Sequence, residues 1–196
     1  LFGQENPYLG IYSKQDGIHL RAIAKSPIYS EADSLINKIE AQIIAKVGNG
    51  FIWGTDDDTP PEVATNLLNT KGLTLCVTES YTGGSVCSLL SECELYDKVF
   101  LKGTIKRPRS LPAVDYVEPQ QTCDEICQAD VHLTVSPLLV KENDGGNSFG
   151  NVSIKIESQN NATQFLGKYR MRNIRMRQRA SNHALIELIK FIKDNY

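Results

Sequence analysis

The chain has 196 residues, 41% of them hydrophobic, and a formal net charge of -2. That length can bury one large core or two smaller ones, and the charge speaks against nucleic-acid binding through overall charge. No apolar run is long enough to span a membrane and no signal-peptide pattern opens the chain, so the expected compartment is the cytoplasm.

Residues 8 to 54 read as a small α+β unit. Leu9 and Ile11 face Ile18, Leu20, Ala22 and Ile23 across a turn at Asp16-Gly17, which predicts a hairpin. A helix follows, with Ser30 as the expected cap, Leu35, Ile36, Ile39, Ile43 and Ile44 at helical spacing, and Gly48 at its C-terminal end. The acidic stretch Gly54-Thr55-Asp56-Asp57-Asp58 is an exposed connector. It divides the chain into a first domain at 1–55 and a second at 58–196.

The second domain opens on Thr59-Pro60-Pro61-Glu62, a capping-box pattern that predicts a helix with Val63, Leu67 and Leu68 on its buried side. Leu73 to Val77 is a nearly all-apolar strand of the kind buried on both faces. It runs into the hydroxyl-rich, glycine-paired turn Ser80-Tyr81-Thr82-Gly83-Gly84 and then a helix carrying Val86, Leu89 and Leu90. Such a turn lets backbone approach a ligand and offers helix N–H groups to an anion, with Ser80 and Thr82 at its rim. Further strands are expected at 99–105, 131–135 and 150–156, irregular loops at 106–122 and 141–150, and a closing helix from about residue 172. Together these pieces make a layered α/β domain.

Cys76, Cys87, Cys93, Cys123 and Cys127 are odd in number and lack paired zinc spacing, so neither a metal nor a disulfide is expected. His19, His132 and His183 fall in separate elements and default to structural or surface roles. Arg172, Arg175 and Arg179 share a helix face that can grip a phosphate or an RNA backbone. The chain opens on Leu1 rather than Met, as a fragment of a longer protein would.

The run Glu79-Ser80-Tyr81-Thr82-Gly83-Gly84 resembles the Ala-Glu-Ser-Cys-Thr-Gly-Gly signature of the CinA family. Lys71-Gly72-Leu73-Thr74-Leu75 is similar to its lead-in strand, and Ile52-Trp53-Gly54-Thr55-Asp56-Asp57 to the segment joining its KH-type and deamidase domains. The resemblance implies a KH-type α+β domain followed by a CinA C-terminal α/β domain related to nicotinamide mononucleotide deamidases. Those enzymes hydrolyse an amide, releasing nicotinate mononucleotide and ammonia, and need no cofactor. It further implies Ser80 as nucleophile, with Glu79, Thr82, Gly83, Gly84, Gly103 and Ser136 about the substrate and Arg175 on its phosphate. A mononucleotide is the implied ligand.

The chain also departs from that pattern. Where the family has Gly-Gly-Val-Val-x-Tyr and then Lys, the sequence reads Phe100 to Arg109, keeping Gly103 with no Tyr or Lys at the family spacing. Lys102 or Lys106 is the nearest substitute. Ser136 stands where the family has Thr, Pro137-Leu138-Leu139 replaces a glycine turn, and Asp144-Gly145-Gly146 restores the pattern. The chain is short between these landmarks. A degenerate, inactive relative is therefore the leading expectation, ahead of an active deamidase. A non-catalytic nucleotide-binding or regulatory protein is the alternative, and a nucleic-acid module ranks third because Gly-x-x-Gly is missing from the first unit. A two-fold homodimer is the commonest assembly for such a chain.

Overall fold

The computed structural model describes residues 1–106, 127–144, 147–170 and 174–196. Strands β1 (Tyr8–Ser13) and β2 (Ile18–Ile23) pair antiparallel, with Ile11 opposite Leu20, as the hairpin pattern predicts. Helix α1 (Tyr29–Val47) begins one residue before Ser30, so Ser30 does not cap it. Ile28 holds the cap position and no side chain caps the helix; just ahead of it, the Ser26 hydroxyl accepts from the Ile28 N–H at 3.1 Å and donates to the Glu31 carboxylate at 2.7 Å. Gly48 closes the helix at φ 88°, a backbone shape glycine adopts without a Cβ penalty. A single 3-10 turn, Asn49–Phe51, leads onward.

Helix α2 (Pro60–Lys71) starts after Thr59, with two prolines whose missing N–H groups have no helical partner to lose. The Thr59 hydroxyl donates to the Glu62 carboxylate at 2.5 Å rather than capping backbone. Gly72, left-handed at φ 65°, stops the helix, and the Leu73 N–H returns to the Leu68 carbonyl.

Five strands follow as one mixed sheet of order β4-β3-β5-β6-β7. Central β3 (Leu75–Glu79) runs parallel to β4 (Phe100–Ile105) and to β5 (Val131–Asp144). β6 (Asn147–Ser158) and β7 (Ala162–Arg170) continue antiparallel. β5 and β6 run well past the expected 131–135 and 150–156, pairing out to Asp144 with Asn147. That pairing replaces most of the loop expected at 141–150. Much of the loop expected at 106–122, and Gly145 and Gly146, lie outside the described residues.

Alternation along the strands sorts the sheet's faces. Leu75, Val77, Leu133, Val135, Ile154 and Ile156 line one face, all fully buried. Leu68 of α2, Val86 and Leu90 of α3 (Ser85–Ser91), and Leu185, Leu188, Ile189 and Ile192 of α5 (Ile174–Asn195) complete that core. Each such side chain contributes about 1.5–3 kcal/mol on burial. The other face carries Thr78, Ser80, Thr104, His132, Thr134 and Ser136, half-buried. Cys76, on that second face, is buried as well, so the strand is covered on both faces through Val77, as expected, and opens only at Thr78 and Ser80. A short helix, α4 (Tyr96–Val99), joins α3 to β4. No helix among the described residues is long and apolar enough to cross a membrane.

Candidate functional site

From β3 the chain goes to β4 on one side, and β5 lies on the other, so connections diverge at the carboxyl end of β3. Crevices at such points are the usual ligand positions of open α/β sheets. β3 and β4 end there side by side, while β5 runs on past Val135 to Asp144. The Ser80 N–H donates to the Val135 carbonyl at 2.9 Å, and the Lys106 N–H to the Glu79 carbonyl at 2.7 Å. This ladder sets Lys106 and Ser136 level with Ser80, and the alternation puts Lys102, opposite Cys76, four residues back on the same face. The Ser80 hydroxyl is half-buried and reaches only the Val135 carbonyl among the described residues, at a long 3.4 Å.

Glu79 explains the glycine turn. Its side chain is 0% exposed, yet it is fully hydrogen-bonded by backbone. One carboxylate oxygen accepts from the N–H of Gly84 and of Val86, each at 3.0 Å; the other accepts from the Cys87 N–H at 2.8 Å. The start of α3 thus has its anion already, supplied by the chain. This corrects the expectation that those N–H groups await a phosphate or carboxylate from solution. The positive φ of Gly83 and Gly84, 65° and 95°, turns the chain back onto Glu79.

Gly84 and Gly103 are tight for a packing reason. A Cβ on Gly84 would stand 2.8 Å from Ile105 Cδ1, and one on Gly103 would stand 2.7 Å from Cys87 Sγ. Gly83 faces open space. Burial, reinforced by Glu79, pushes the Cys87 thiol up to about 12, so it stays protonated and is no nucleophile. Thr82 is 3% exposed, and its hydroxyl finds no partner among the described residues.

Strand directions bring further groups to the same end of the sheet, because β7 runs parallel to β3 and α5 starts just beyond it. The rings of Tyr81 and Tyr169 lie 6.1 Å apart. Burial raises both hydroxyls, Tyr169 to about 12, while Arg177 and Arg179 pull the other way. Tyr169 also meets His183, which contacts Glu187. Sequence reasoning left His183 as a default structural residue; only the i,i+4 spacing of His183 and Glu187 was readable. Arg175 is exposed in the first turn of α5, and Arg172 is outside the described residues.

Cys76 of β3 and Cys127, 51 residues apart with Cα atoms separated by 6.6 Å, are joined as a disulfide. This corrects the expectation of free thiols; the partners meet because β3 and the approach to β5 are neighbours, which sequence spacing does not reveal. Among the described residues no group of three or more His, Cys, Asp or Glu is placed to hold a metal.

The family model described as the Damage-inducible protein CinA KH domain matches residues 1–54. A CinA-like protein of Kosmotoga olearia is 36% identical over 102 residues, which is 52% of this chain and 24% of the relative. A CinA-like protein of Dictyoglomus turgidum gives 36% over 102 residues, again 52% and 24%. The matched stretch is about a quarter of the length of these relatives. The crystal structure of a competence or damage-inducible protein from Enterobacter asburiae superposes with TM-score 0.51 at 19% identity, over 69% of this chain and 99% of that one. A CinA superfamily protein from Enterobacter cloacae gives 0.51 at 19%, over 72% and 96%. At such identities these structures speak for the fold alone. Residues 1–54 thus match a CinA KH domain, and the chain is similar to CinA-like proteins in sequence over about half its length.

Proposed function

We propose that this chain carries a mononucleotide site of the nicotinamide mononucleotide deamidase class that binds without hydrolysing. The site lies at the carboxyl ends of β3 and β4, beside Ser136 of β5, in a deamidase-like domain at 58–196 behind a KH-type domain at 1–55. A serine hydroxyl attacks an amide carbon only when a base takes its proton. The observation that carries the reading is the Ser80 hydroxyl itself, whose described partner is a carbonyl that can accept a hydrogen bond but not a proton at neutral pH. Glu79, the nearest carboxylate in sequence, is committed to three backbone N–H groups. Ser80, Thr82, Ser136 and Arg175 are the groups assigned to the ligand. The reading includes a cytoplasmic location, no metal or cofactor, no membrane or nucleic-acid partner, and a two-fold homodimer as assembly.

Purified protein incubated with nicotinamide mononucleotide tests it, with ammonia and nicotinate mononucleotide followed by chromatography and binding by calorimetry. The expected result is binding without turnover in the unaltered chain, and no turnover in Ser80→Ala either. Turnover that vanishes in Ser80→Ala would overturn it.

A second reading, an active amidohydrolase, is favoured by one observation. The bond from the Lys106 N–H to the Glu79 carbonyl sets that lysine level with Ser80 on a neighbouring strand. Lys106 would then be the base, and Lys106→Ala would abolish turnover along with Ser80→Ala.

A further inference from the structure

The disulfide joins two sulfurs in unequal surroundings. Cys76, within β3, is 7% exposed. Cys127, on the approach to β5, is only half-buried. A thiolate displaces the sulfur it can reach, so exchange begins at Cys127 and Cys76 is the leaving group.

Strand register sets a lysine beside that leaving group. Cys76 is paired with Lys102 of β4 on one side and with His132 of β5 on the other, all on the second face of the sheet. Glu157 comes next in the row, opposite His132, and its carboxylate is held by Lys155 at 2.8 Å. Asp130 is held by Thr74, accepting from its N–H at 2.8 Å and from its hydroxyl at 2.6 Å. With both acids engaged, the Lys102 ammonium is the charge that the register brings to Cys76. A cation beside a sulfur favours the thiolate, and a thiol that ionises readily leaves readily.

The two cysteines also stay together when the bond opens. The Asp130 N–H donates to the Thr74 hydroxyl at 3.1 Å, and the Val131 N–H to the Thr74 carbonyl at 3.0 Å. With the two bonds to the Asp130 carboxylate, these fix the chain just before Cys76 and just after Cys127. Closing the pair again is then intramolecular, at high effective concentration.

We propose that Cys76 and Cys127 form a reversible redox site for low-molecular-weight thiols of the glutathione class, with Cys127 as the sulfur attacked and Cys76 as the resolving one. In reduction, a thiolate RS⁻ bonds to Cys127 Sγ while the bond from Cys127 to Cys76 breaks. The electron pair of that bond leaves on Cys76, which takes a proton from water. A second thiol attacks the RS sulfur of the mixed disulfide, freeing Cys127 as a thiol and releasing RSSR. Two thiols thus give two electrons to the protein, and RSSR reverses both steps. Exposed disulfides are the labile, regulatory kind, whereas resistant ones are structural. The exchange does not depend on what the Ser80 site binds.

The full chain carrying Cys123→Ser, so that a cysteine outside the described residues takes no part, is equilibrated with mixtures of reduced and oxidised glutathione. Samples are quenched in acid, alkylated and mapped by mass spectrometry, with circular dichroism as the check on folding. The expected result is one Cys76–Cys127 bond that opens and closes reversibly within those mixtures while the protein stays folded. Samples quenched early in reduction are expected to carry glutathione on Cys127. Adding Cys76→Ser removes the resolving thiol and is expected to accumulate glutathione on Cys127. Adding Cys127→Ser instead leaves the sheltered Cys76, expected to react about tenfold more slowly than Cys127 does. Lys102→Met is expected to slow reduction about threefold and Lys102→Arg to keep the rate. Cys87 and Cys93 remain in every protein; the Cys87 thiol keeps its proton and Cys93 is buried. Two free thiols under oxidised glutathione, a bond that opens only on unfolding, or glutathione on Cys76 in place of Cys127 overturns the proposal. An unchanged rate in Lys102→Met overturns Cys76 as the leaving sulfur.

Discussion

Glu79 sits where a ligand's anion was expected, and removing its charge separates a structural from a substrate-binding role. Glu79→Gln exchanges one accepting oxygen for an NH2 group, which must face a backbone N–H of Gly84, Val86 or Cys87. At least one charge-assisted bond is lost in a buried place. The expected cost is about 2 kcal/mol, read as a lower urea midpoint with unchanged slope. An unchanged midpoint with altered mononucleotide affinity would give Glu79 to the substrate instead. The site was partly legible at this scale. A strand that ends in Glu just before a glycine turn and a helix carries the signal for a buried cap, but the same residues also spell an anion loop. Nothing local distinguishes the two, because the choice depends on whether the carboxylate folds back or out. The Tyr169–His183 contact was not legible at all: its members are 14 residues apart in a strand and a helix whose meeting is decided by the fold.

Elements with strong periodicity were readable. α2, β3 and α5 follow the apolar spacing, because Leu, Val, Ile or Ala hold most of their buried positions, with Thr65, Cys76, Glu79, Ser181 and Phe191 among the exceptions. β7 escaped notice for the converse reason. Its core-facing positions run Thr163, Phe165, Gly167, Tyr169, and Leu166 on the other face is exposed, so the apolar alternation is broken. The closeness of α3 to β4 also hides in sequence, and it makes a sharp test. Gly103→Ala would drive a methyl to within 2.7 Å of Cys87 Sγ and 3.1 Å of the Phe100 ring. Such overpacking costs about 1–3 kcal/mol. Adding Cys87→Ala removes the nearer obstacle, so the double variant is expected to regain most of that loss in thermal unfolding. Additive losses would mean that the two elements are not in contact, since only coupled neighbours deviate from additivity.

Burial is distributed unevenly over the whole molecule. Of the seventeen large hydrophobic residues exposed among the described ones, twelve lie at or before Phe51; the other five are Leu101, Ile105, Leu166, Ile174 and Tyr196. Within residues 1–54, Leu9 and Ile39 are the large hydrophobics that are buried, whereas the five-stranded sheet and its helices share a continuous core. A two-stranded hairpin is marginal without a helix packed on it, and here the buried large hydrophobics that join the two are few. What joins it to the rest is modest: Trp53 packs on the main core, the Lys193 ammonium donates to the Ile52 carbonyl at 3.1 Å, and Lys190 lies 5.3 Å over the Phe51 ring. The two parts are therefore expected to open at different free energies. Ile39→Ala should raise amide exchange in β1, β2 and α1 while leaving β3, β5 and β6 at their original protection. Leu188→Ala, which empties a fully buried position of α5, should lower the global value by about 2–5 kcal/mol and accelerate every element. If Ile39→Ala instead weakened β3 and β5 as much as α1, the chain would be a single cooperative unit, and the separation at the acidic connector would be one of sequence only.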